Sequence, residues 1–260
     1  MESSEKIKLV HITDMHLSKS KETLYKELNP FDSYIEVLSD IKKSNWKPDG
    51  LIVTGDISND GSIESYNNAF NEFSSLKIPV LCIPGNHDCK KNLITCLPQN
   101  TSSRLQIVSN WVFIGLDTSL KSNPSGFLNS SELSKLKARI EEHYKKNIII
   151  CLHHQPVLIN SKWIDEIGLE NKKEFFEVIK KYKNIKGIFY GHIHQEFNSN
   201  INHIGIYGTP STCIQFKSRK KTFELDVLPP AYRRIELGRN GTINSKVVWI
   251  DPCDRKKFIH

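Results

Sequence analysis

Short apolar runs recur along the chain and predict buried strands. Seven of these runs are Ile7–Ile12, Gly50–Val53, Val80–Ile83, Trp111–Leu116, Ile148–Leu152, Ile185–Tyr190 and Ile204–Tyr207. Runs of about four to eight apolar residues, many of them Val or Ile, are typical of strands covered on both faces. The sequence therefore predicts a largely buried sheet or pair of sheets.

Segments with helical spacing of apolar residues separate several of these runs. They are Phe31–Lys43, Ile63–Leu76, Ser131–Lys145 and Lys172–Tyr182. Typical helix starts are Ser62 for the second and Ser130 or Ser131, with nearby Glu132, for the third. Breaks are expected at Pro48-Asp49-Gly50 and Pro229-Pro230. Alternation of strands and helices favours an α/β protein, and without repeats or a long linker we expect one domain over residues 1–260.

Five predicted strands end in residues that bind metals or move protons. The endings are Thr13-Asp14-Met15-His16, Thr54-Gly55-Asp56, Gly85-Asn86-His87-Asp88, His153-His154 and Gly191-His192-Ile193-His194. In open α/β sheets, ligands bind in the crevice outside the carboxyl ends of the strands. We therefore expect the five endings to converge on one site.

The residue types at these endings suit two metal ions. Carboxylate, imidazole and amide oxygen together favour Mn, Fe, Co or Zn, whereas a set of oxygens alone favours Mg or Ca. The ligand supply is too large for one ion. Asp56 has two carboxylate oxygens and can bridge two metals, while Asn86 offers a neutral oxygen. Each ending alone is more typical of a turn or a hydrogen-bonded histidine, but a dinuclear site explains all five together.

Composition adds few constraints. The chain of 260 residues is 38% hydrophobic and 25% charged, which is typical of a globular protein. Its net charge of +7 favours anionic ligands, but no long basic track with interleaved aromatics predicts stable nucleic-acid binding. The six cysteines include no Cys-x-x-Cys pair, so we expect reduced, mostly buried thiols. Since the sequence shows no signal peptide and no membrane span, we expect a cytoplasmic protein without a membrane partner.

The ordered motifs Asp-x-His, Gly-Asp, Gly-Asn-His-Asp, His-His and Gly-His-x-His, from Asp14 to His194, resemble the calcineurin-like metallophosphoesterase superfamily. Three later segments resemble the class III bacterial 3′,5′-cyclic AMP phosphodiesterases, the CpdA type: Gly191–Phe197, Thr209–Phe216 and Phe223–Leu237. The resemblance implies a four-layer α-β-β-α sandwich of two mixed sheets flanked by helices.

The resemblance also implies a ligand set for two ions, with iron or manganese expected first and zinc or cobalt as alternatives. One ion would be held by Asp14, His16, Asp56 and His194. The other would be held by Asp56, Asn86, His153 and His192. Contacts to the substrate are expected from His16, Asp56, Asn86, His87 and His194. The neighbouring His154 is an alternative to His153, because the family often has a different run of residues at this point.

We expect hydrolysis of cyclic AMP to 5′-AMP by a hydroxide shared between the metals, which would lie about 3.5–4 Å apart. His87 is the candidate acid for the leaving oxygen, and Asp88 would orient its ring or hold the loop. The alternatives are a broad phosphodiesterase or phosphomonoesterase and a noncatalytic metal-dependent binding protein. We expect a monomer or a homodimer.

Two segments have open roles. In Thr209–Phe216, Ser211 or Thr212 is a candidate substrate contact, whereas Cys213, Ile214 and Phe216 are expected to pack in the core. The basic run Lys217–Lys221 is expected to be a solvated loop rather than a flap that faces phosphate.

Overall fold

The predicted strands form the parallel centres of two mixed sheets. The structure is a computed structural model that describes residues 6–250. Its strands are β1 (Ile7–Ile12), β2 (Gly50–Val53), β3 (Val80–Cys82), β4 (Thr101–Ser102), β5 (Leu105–Val108), β6 (Trp111–Gly115), β7 (Ser119–Leu120), β8 (Asn123–Gly126), β9 (Asn147–Leu152), β10 (Ile185–Tyr190), β11 (Phe197–Ile201), β12 (Ile204–Gly208), β13 (Gln215–Phe216), β14 (Leu225–Asp226), β15 (Ala231–Leu237) and β16 (Ile243–Trp249). The helices are α1 (Pro30–Lys43), α2 (Ile63–Ser74), α3 (Lys90–Cys96), α4 (Ser130–Glu142), α5 (Lys162–Asp165) and α6 (Lys172–Ile179).

The first sheet has the order β16-β15-β1-β2-β3-β4, and the second has the order β11-β12-β10-β9-β6-β5. Strands β1 to β4 are parallel neighbours, and so are β6, β9, β10 and β12. The remaining strands β5, β11, β15 and β16 join antiparallel at the outer sides. Because the central strands of each sheet are parallel, their carboxyl ends share one edge of that sheet.

Alternation along the strands produces three apolar layers. Leu9, Ile52 and Phe113 belong to a buried cluster that joins residues of both sheets. Their strand neighbours point the other way. Val10 of β1 packs with residues of α1 and α2, and Val112 of β6 packs with residues of α4 and α6. Helices therefore cover the outer face of each sheet, and the α-β-β-α sandwich expected from the sequence is confirmed.

The helix boundaries differ from the expected ones at several ends. Ser62 caps α2 by accepting the Ser65 N–H at 3.2 Å. The predicted start of α4 at Ser130 is confirmed, and the preceding residue caps the helix, because Asn129 Oδ1 accepts the Glu132 N–H at 2.9 Å. The predicted helices continued to Leu76, Lys145 and Tyr182, beyond the observed ends. Leu76 and Tyr182 still pack on the core, so their apolar character extends past the helix.

The two strands that add to the outer side of the first sheet were not predicted. Strand β15 has two arginines in the sequence AYRRIEL, and β16 has three consecutive polar residues before Val-Val-Trp in INSKVVW. Neither is the continuous apolar run used to find the central strands. An antiparallel outer strand need not be apolar on both faces, so its pattern is weaker.

The cysteines, the absence of a membrane span and the domain count were also predicted from the sequence. Cys82, Cys151 and Cys213 are buried free thiols, and Cys89 and Cys96 are free and half-buried; Cys253 lies outside the described residues. Between residues 6 and 250, no helix is long and apolar enough to cross a bilayer. The single domain over residues 1–260 stays a prediction.

Candidate metal centre

Five of the predicted ligands lie where the backbone has left the strand conformation. They have positive φ angles: Asp14 (54°), His16 (51°), Asp56 (48°), His192 (68°) and His194 (48°). A residue other than glycine in this region costs about 1–2 kcal/mol, and such strain collects at functional sites where the surrounding fold maintains it. This turn of the backbone explains how Asp14 and His16, two positions apart, reach the same cluster of side chains.

Asp14, His16 and His194 form the first group, whose candidate ligand atoms lie within 4.8 Å of one another. His194 Nε2 lies 3.4 Å from Asp14 Oδ1 and 3.2 Å from His16 Nε2. The second ring nitrogen, His194 Nδ1, donates to the Ile214 carbonyl at 2.7 Å. Because a neutral imidazole carries one N–H, this bond leaves a lone pair on Nε2 directed at the group.

His153 and His192 form the second group, and their ring centroids are 5.0 Å apart. His153 Nδ1 donates to the Thr54 carbonyl at 2.7 Å, which leaves the lone pair on Nε2. That Nε2 lies 3.0 Å from Asn86 Oδ1 and 3.4 Å from Asp56 Oδ2. His192 Nε2 is buried and has no hydrogen-bond partner within the described chain. Both imidazoles therefore have a nitrogen available for a metal.

Asp56 is shared by the two groups. Its Oδ2 lies 3.9 Å from His16 Nε2 and 3.4 Å from His153 Nε2. The other oxygen, Oδ1, accepts the His87 backbone N–H at 2.9 Å. Asp56 clusters with Asp14 and His153, and also with His16 and His87. This is the position that a carboxylate bridging two cations would need.

The donor set fits metal ions. The lone pairs of His153 and His194 face carboxylate oxygens, and two acceptors repel each other unless a proton or another cation lies between them. Burial opposes the charged form of His153, but the charge of Asp56 and its hydrogen bond outweigh burial and raise the pKa of His153 to about 9, so without metal a proton occupies the Nε2 lone pair near neutral pH. The site therefore attracts positive charge, and its mixture of carboxylate, imidazole and amide suits Mn, Fe, Co or Zn.

His154 lies close to the second group but is occupied by other bonds. Its ligand atom is within 4.8 Å of those of His153 and His192. However, the Pro124 carbonyl accepts from His154 Nε2–H at 3.0 Å, and the Thr118 hydroxyl donates to Nδ1 at 2.7 Å. Metal binding by His154 would break one of these buried bonds. The geometry therefore favours His153 over His154 as the ligand.

His87 and Asp88 have different surroundings. The His87 side chain is exposed, lines the cavity described below and lies edge-on to His16, with ring centroids 4.9 Å apart. The Asp88 carboxylate accepts the Gly85 N–H at 2.8 Å, the Ser58 N–H at 3.0 Å and the Tyr66 hydroxyl at 3.1 Å. Of the two roles expected for Asp88, these bonds support holding the loop.

A cavity of about 250 Å³ opens beside the two groups of ligands. His16, Asp56, Asn86, His87, His192 and His194 are among its lining residues. Four aromatic residues also line it, Tyr25, Trp163, Phe216 and Phe223, which we call the aromatic wall, and Lys26 lies among the remaining lining residues. Tyr25 stacks on His16 at 4.7 Å between ring centroids, and Phe216 stacks on His194 at 3.9 Å. The cavity is thus lined both by the candidate metal ligands and by the aromatic wall.

Ser211 and Thr212 are not among the residues that line this cavity. Ser211 is buried, and its hydroxyl donates to the Asp14 carbonyl at 2.6 Å. Thr212 is also buried. The suggested substrate contact by either residue is therefore wrong in this structure. Both side chains are buried away from the cavity, and the Ser211 hydroxyl instead stabilises the turn at Asp14. Cys213, Ile214 and Phe216 pack in the core as expected.

The basic run Lys217–Lys221 lies beside the aromatic wall and does not line the cavity. Lys217 forms an ion pair with Glu224, and Lys220 lies 2.8 Å from the same carboxylate. This pairing supports the expected solvated loop rather than a flap that faces phosphate.

Residues 7–196 match the family model of the calcineurin-like phosphoesterases. The chain belongs to this family. Most of its length also resembles curated relatives. The 3′,5′-cyclic adenosine monophosphate phosphodiesterase CpdA of Haemophilus influenzae is 36% identical over 95% of this chain and 92% of its own. The corresponding Escherichia coli protein is 30% identical over 93% and 89%. A 3′,5′-cyclic-nucleotide phosphodiesterase from Nostoc is 35% identical over 93% and 91%.

Solved structures show the same phosphoesterase fold at much lower identity. A dimetal phosphatase from Danio rerio superposes with a TM-score of 0.65 at 11% identity, covering 94% of this chain and 99% of its own. A protein described as the anchor in the inner membrane complex of Plasmodium superposes with a TM-score of 0.63 at 13% identity, covering 98% and 87%. An enzyme and an anchor share this fold, so the fold alone does not determine activity.

Several residues around the phosphoesterase site were missed in the sequence. The aromatic wall was missed because its members are far apart in the chain and have no common spacing. His11 and Arg233 were also missed, although each lies in a strand and both are fully buried. A buried histidine or arginine in a strand requires polar partners, and that requirement was the available signal.

Proposed function

We propose that this phosphoesterase hydrolyses 3′,5′-cyclic AMP to 5′-AMP at a dinuclear metal centre. One observation carries the proposal. The two ligand groups share Asp56, and imidazole lone pairs in both groups face carboxylate oxygens. The names of the relatives that match over most of the chain support the substrate class. Iron or manganese is the proposed metal, with zinc or cobalt as alternatives.

The proposed ligands of one ion are Asp14, His16, Asp56 and His194, and those of the other are Asp56, Asn86, His153 and His192. When bound, two such ions supply activation of a water molecule and neutralisation of the phosphate charge. The chain itself orients the ligands: carbonyl oxygens of Thr54 and Ile214 hold His153 and His194 with Nε2 free. This arrangement is the carboxylate- or carbonyl-supported imidazole that metal sites commonly use.

His87 is the proposed proton donor to the leaving 3′ oxygen. It is exposed at the cavity, while its backbone N–H is fixed by Asp56 Oδ1 at 2.9 Å. A ribose oxygen is a poor leaving group, so protonation by a positioned side chain should lower the barrier. Asp88 is proposed to act through the loop backbone that carries Asn86 and His87.

The aromatic wall favours a nucleotide over a small phosphate ester. Phe223 is 44% exposed and forms an edge-to-face contact with Trp163 at 5.2 Å between ring centroids. Stacking of a base on an aromatic side chain is worth about 1–3 kcal/mol. We propose that the base of cyclic AMP lies against this wall while the phosphate faces the metal-binding end.

The deciding experiment measures turnover by the purified, metal-reconstituted protein. Its substrates are cyclic AMP, cyclic GMP, 2′,3′-cyclic nucleotides and simple phosphomonoesters. We expect the highest kcat/KM with cyclic AMP and complete loss with a chelator. Faster turnover of monoesters would favour the broad phosphoesterase. Metal binding without turnover of any ester would favour the noncatalytic binding protein.

A second measurement tests the aromatic wall separately. Phe223→Ala should raise KM for cyclic AMP about tenfold, since about 1.4 kcal/mol of stacking is a factor of ten. It should leave kcat/KM for a ribose cyclic phosphate without a base unchanged. Phe127→Ala is the control, because Phe127 is similarly exposed at 37% and does not line the cavity. Equal effects on both substrates would exclude the base contact.

Cytoplasmic location, monomeric or homodimeric state and lack of a stable nucleic-acid or membrane partner stay predictions.

A further inference from the structure

A buried row of polar side chains connects Arg233 to Asp14 through both sheets. Arg233 of β15 is the register partner of His11 on β1. Thr13 follows β1, Thr54 follows β2, and Thr209 follows β12 of the second sheet. All of these side chains are fully buried. A polar row in this position needs a reason, because apolar residues surround it and would pack there without desolvating polar groups.

Consecutive members of the row are at hydrogen-bond distance. The links are Arg233 Nε to Thr209 Oγ1 (3.2 Å), Thr209 Oγ1 to His11 Nδ1 (2.7 Å), His11 Nε2 to Thr54 Oγ1 (2.7 Å), Thr54 Oγ1 to Thr13 Oγ1 (2.8 Å) and Thr13 Oγ1 to Asp14 Oδ2 (2.7 Å). The row therefore ends on a carboxylate oxygen of a proposed metal ligand.

The two ends determine the direction of every bond. The guanidinium of Arg233 can only donate, and the ionised carboxylate of Asp14 can only accept. Each threonine hydroxyl has one hydrogen. Thr13 donates it to Asp14, so Thr54 must donate to Thr13, and His11 Nε2–H must donate to Thr54. With neutral His11, Nδ1 is an acceptor and receives the Thr209 hydroxyl hydrogen, and Arg233 donates to Thr209.

The electrostatics agree with a neutral His11. Burial and then the positive charge of Arg233 lower the pKa of His11 to about 3. Arg233 itself stays charged near neutral pH, although burial lowers its pKa to about 10. Among the described residues, no carboxylate lies within ion-pair distance of Arg233. Its other donors bind Asn198, Ser245 and the Gly208 carbonyl. All bonds of the row thus point from the cation towards Asp14, an alignment in which each bond polarises the next.

The row also touches the second group of ligands. The hydroxyl of Thr54 belongs to the row, and its backbone carbonyl accepts His153 Nδ1–H at 2.7 Å. At the other end, Thr13 and the His192 N–H, at 3.0 Å, both donate to Asp14 Oδ2. These two donors hold one carboxylate oxygen while Oδ1 lies 3.4 Å from His194 Nε2.

We propose that Arg233 and His11 are positioning residues of the metal centre, which act on Asp14 and His153 through the hydroxyls of Thr209, Thr54 and Thr13. The proposal rests on the proposed roles of Asp14 and His153 as ligands. The row fixes the orientation of the Asp14 carboxylate and the tautomer of His11 before metal arrives. Outer partners of this kind are typically worth about 10–100-fold in metal affinity or activity.

The test removes one hydroxyl from the middle of the row. Thr209→Val keeps the shape of the side chain but breaks the link between Arg233 and His11. Thr209→Ser keeps the hydroxyl. Thr212→Val is the matched control, because Thr212 is equally buried three positions away and its hydroxyl has no hydrogen-bond partner within residues 6–250. The readouts are Mn²⁺ affinity by calorimetry and the imidazole ¹⁵N shifts of His11, which report the hydrogen bond that its Nδ1 accepts from Thr209.

We expect Thr209→Val to weaken Mn²⁺ binding about tenfold or more and to change the His11 ¹⁵N shifts, while Thr209→Ser and Thr212→Val behave as the starting protein. Unchanged affinity and unchanged His11 ¹⁵N shifts in Thr209→Val would overturn the proposal. Equal weakening in Thr212→Val would also overturn it, because general loosening of the segment would then explain the loss. If circular dichroism shows that Thr209→Val is unfolded, His11→Leu is measured for Mn²⁺ affinity, and an unchanged value again rejects the row. These readouts do not need turnover, so failure of the proposed phosphodiesterase activity is recognised separately.

Discussion

At the scale of single residues, the hydrogen atoms on the imidazoles decide what each histidine can do. His153 and His194 each give one N–H to a backbone carbonyl, and the other nitrogen of each faces only proposed metal ligands. His154 has both nitrogens in hydrogen bonds. Identical residue types at neighbouring positions, His153 and His154, therefore differ in metal-binding capacity because of the groups around them.

His87→Ala tests the separation of acid and ligand. Both metal ions should remain, since the other proposed ligands supply the donors, and cyclic AMP hydrolysis should fall about 10²–10⁴-fold. A diester that releases nitrophenolate needs little protonation, so its hydrolysis should fall much less. Elemental analysis and kinetics on both substrates check this. Loss of an ion would reassign His87 as a ligand, which its proximity to His16 and Asp56 makes worth measuring.

His11 should make stability depend on pH in a defined window. Its pKa is lowered from 6.5 to about 3 by burial and by Arg233, so the unfolded chain binds a proton between these values and the folded chain does not. The stabilisation is present above about pH 6.5 and is lost as pH falls towards 3. Compared with His11→Gln, the starting protein should lose up to about 1.4 kcal/mol more per pH unit. Urea unfolding of both metal-free proteins from pH 4 to 6 measures the difference, and parallel slopes would contradict it.

At the scale of elements, the strand ends position the ligands by close backbone approach. Gly85 follows β3, and a Cβ there would lie 2.2 Å from Asp56 Oδ1 and 2.5 Å from the Asp56 backbone nitrogen. The loop after β3 can therefore approach the loop after β2 only without a side chain. The Asp88 carboxylate then joins the two loops through its bonds to Gly85 and Ser58.

Gly85→Ala should displace Asp56 and damage the metal centre. We expect metal affinity to fall about tenfold or more, with a corresponding loss of turnover, measured by calorimetry and steady-state kinetics. Gly50→Ala is the control, because its Cβ would meet the end of the Leu9 side chain at 2.9 Å, outside the metal site. If Gly85→Ala kept full metal affinity, the close approach would not be needed for the site.

At the scale of the whole molecule, the proposed ligands come from both sheets. The ends of β1, β2 and β3 belong to the first sheet, and the ends of β9 and β10 belong to the second. Bound metal would therefore link the sheets in addition to the apolar cluster between them. An ion that binds only the folded chain stabilises it by mass action.

Addition of Mn²⁺ at about 100 times its dissociation constant should raise the free energy of unfolding by about 2.7 kcal/mol for each site filled. Urea unfolding with and without metal measures the increase, and a chelator should reverse it. In Asp56→Asn the free energy of unfolding should increase less on addition of Mn²⁺, because a neutral amide replaces the shared carboxylate. An equal increase in Asp56→Asn would argue against Asp56 as the bridge.

Local patterns were enough for the central strands and for the candidate residues at their ends. An apolar strand buried on both faces has to be a continuous apolar run, so β1, β2 and β10 were predicted with their observed bounds. The abrupt change to Asp, Asn and His at the strand ends also belongs to the local sequence. Parallel pairing then brings such ends to one edge of a sheet, whatever the details of packing.

Packing between distant segments decided the rest. The preference for His153 over His154 as the proposed ligand depends on Thr54, Thr118 and Pro124, which approach these rings only after the sheets and loops have packed. The aromatic wall and the row from Arg233 to Asp14 join segments from opposite ends of the chain. No spacing rule connects such residues, because the bonds between them depend on where the two sheets place their side chains and on which hydrogen each neighbour leaves free.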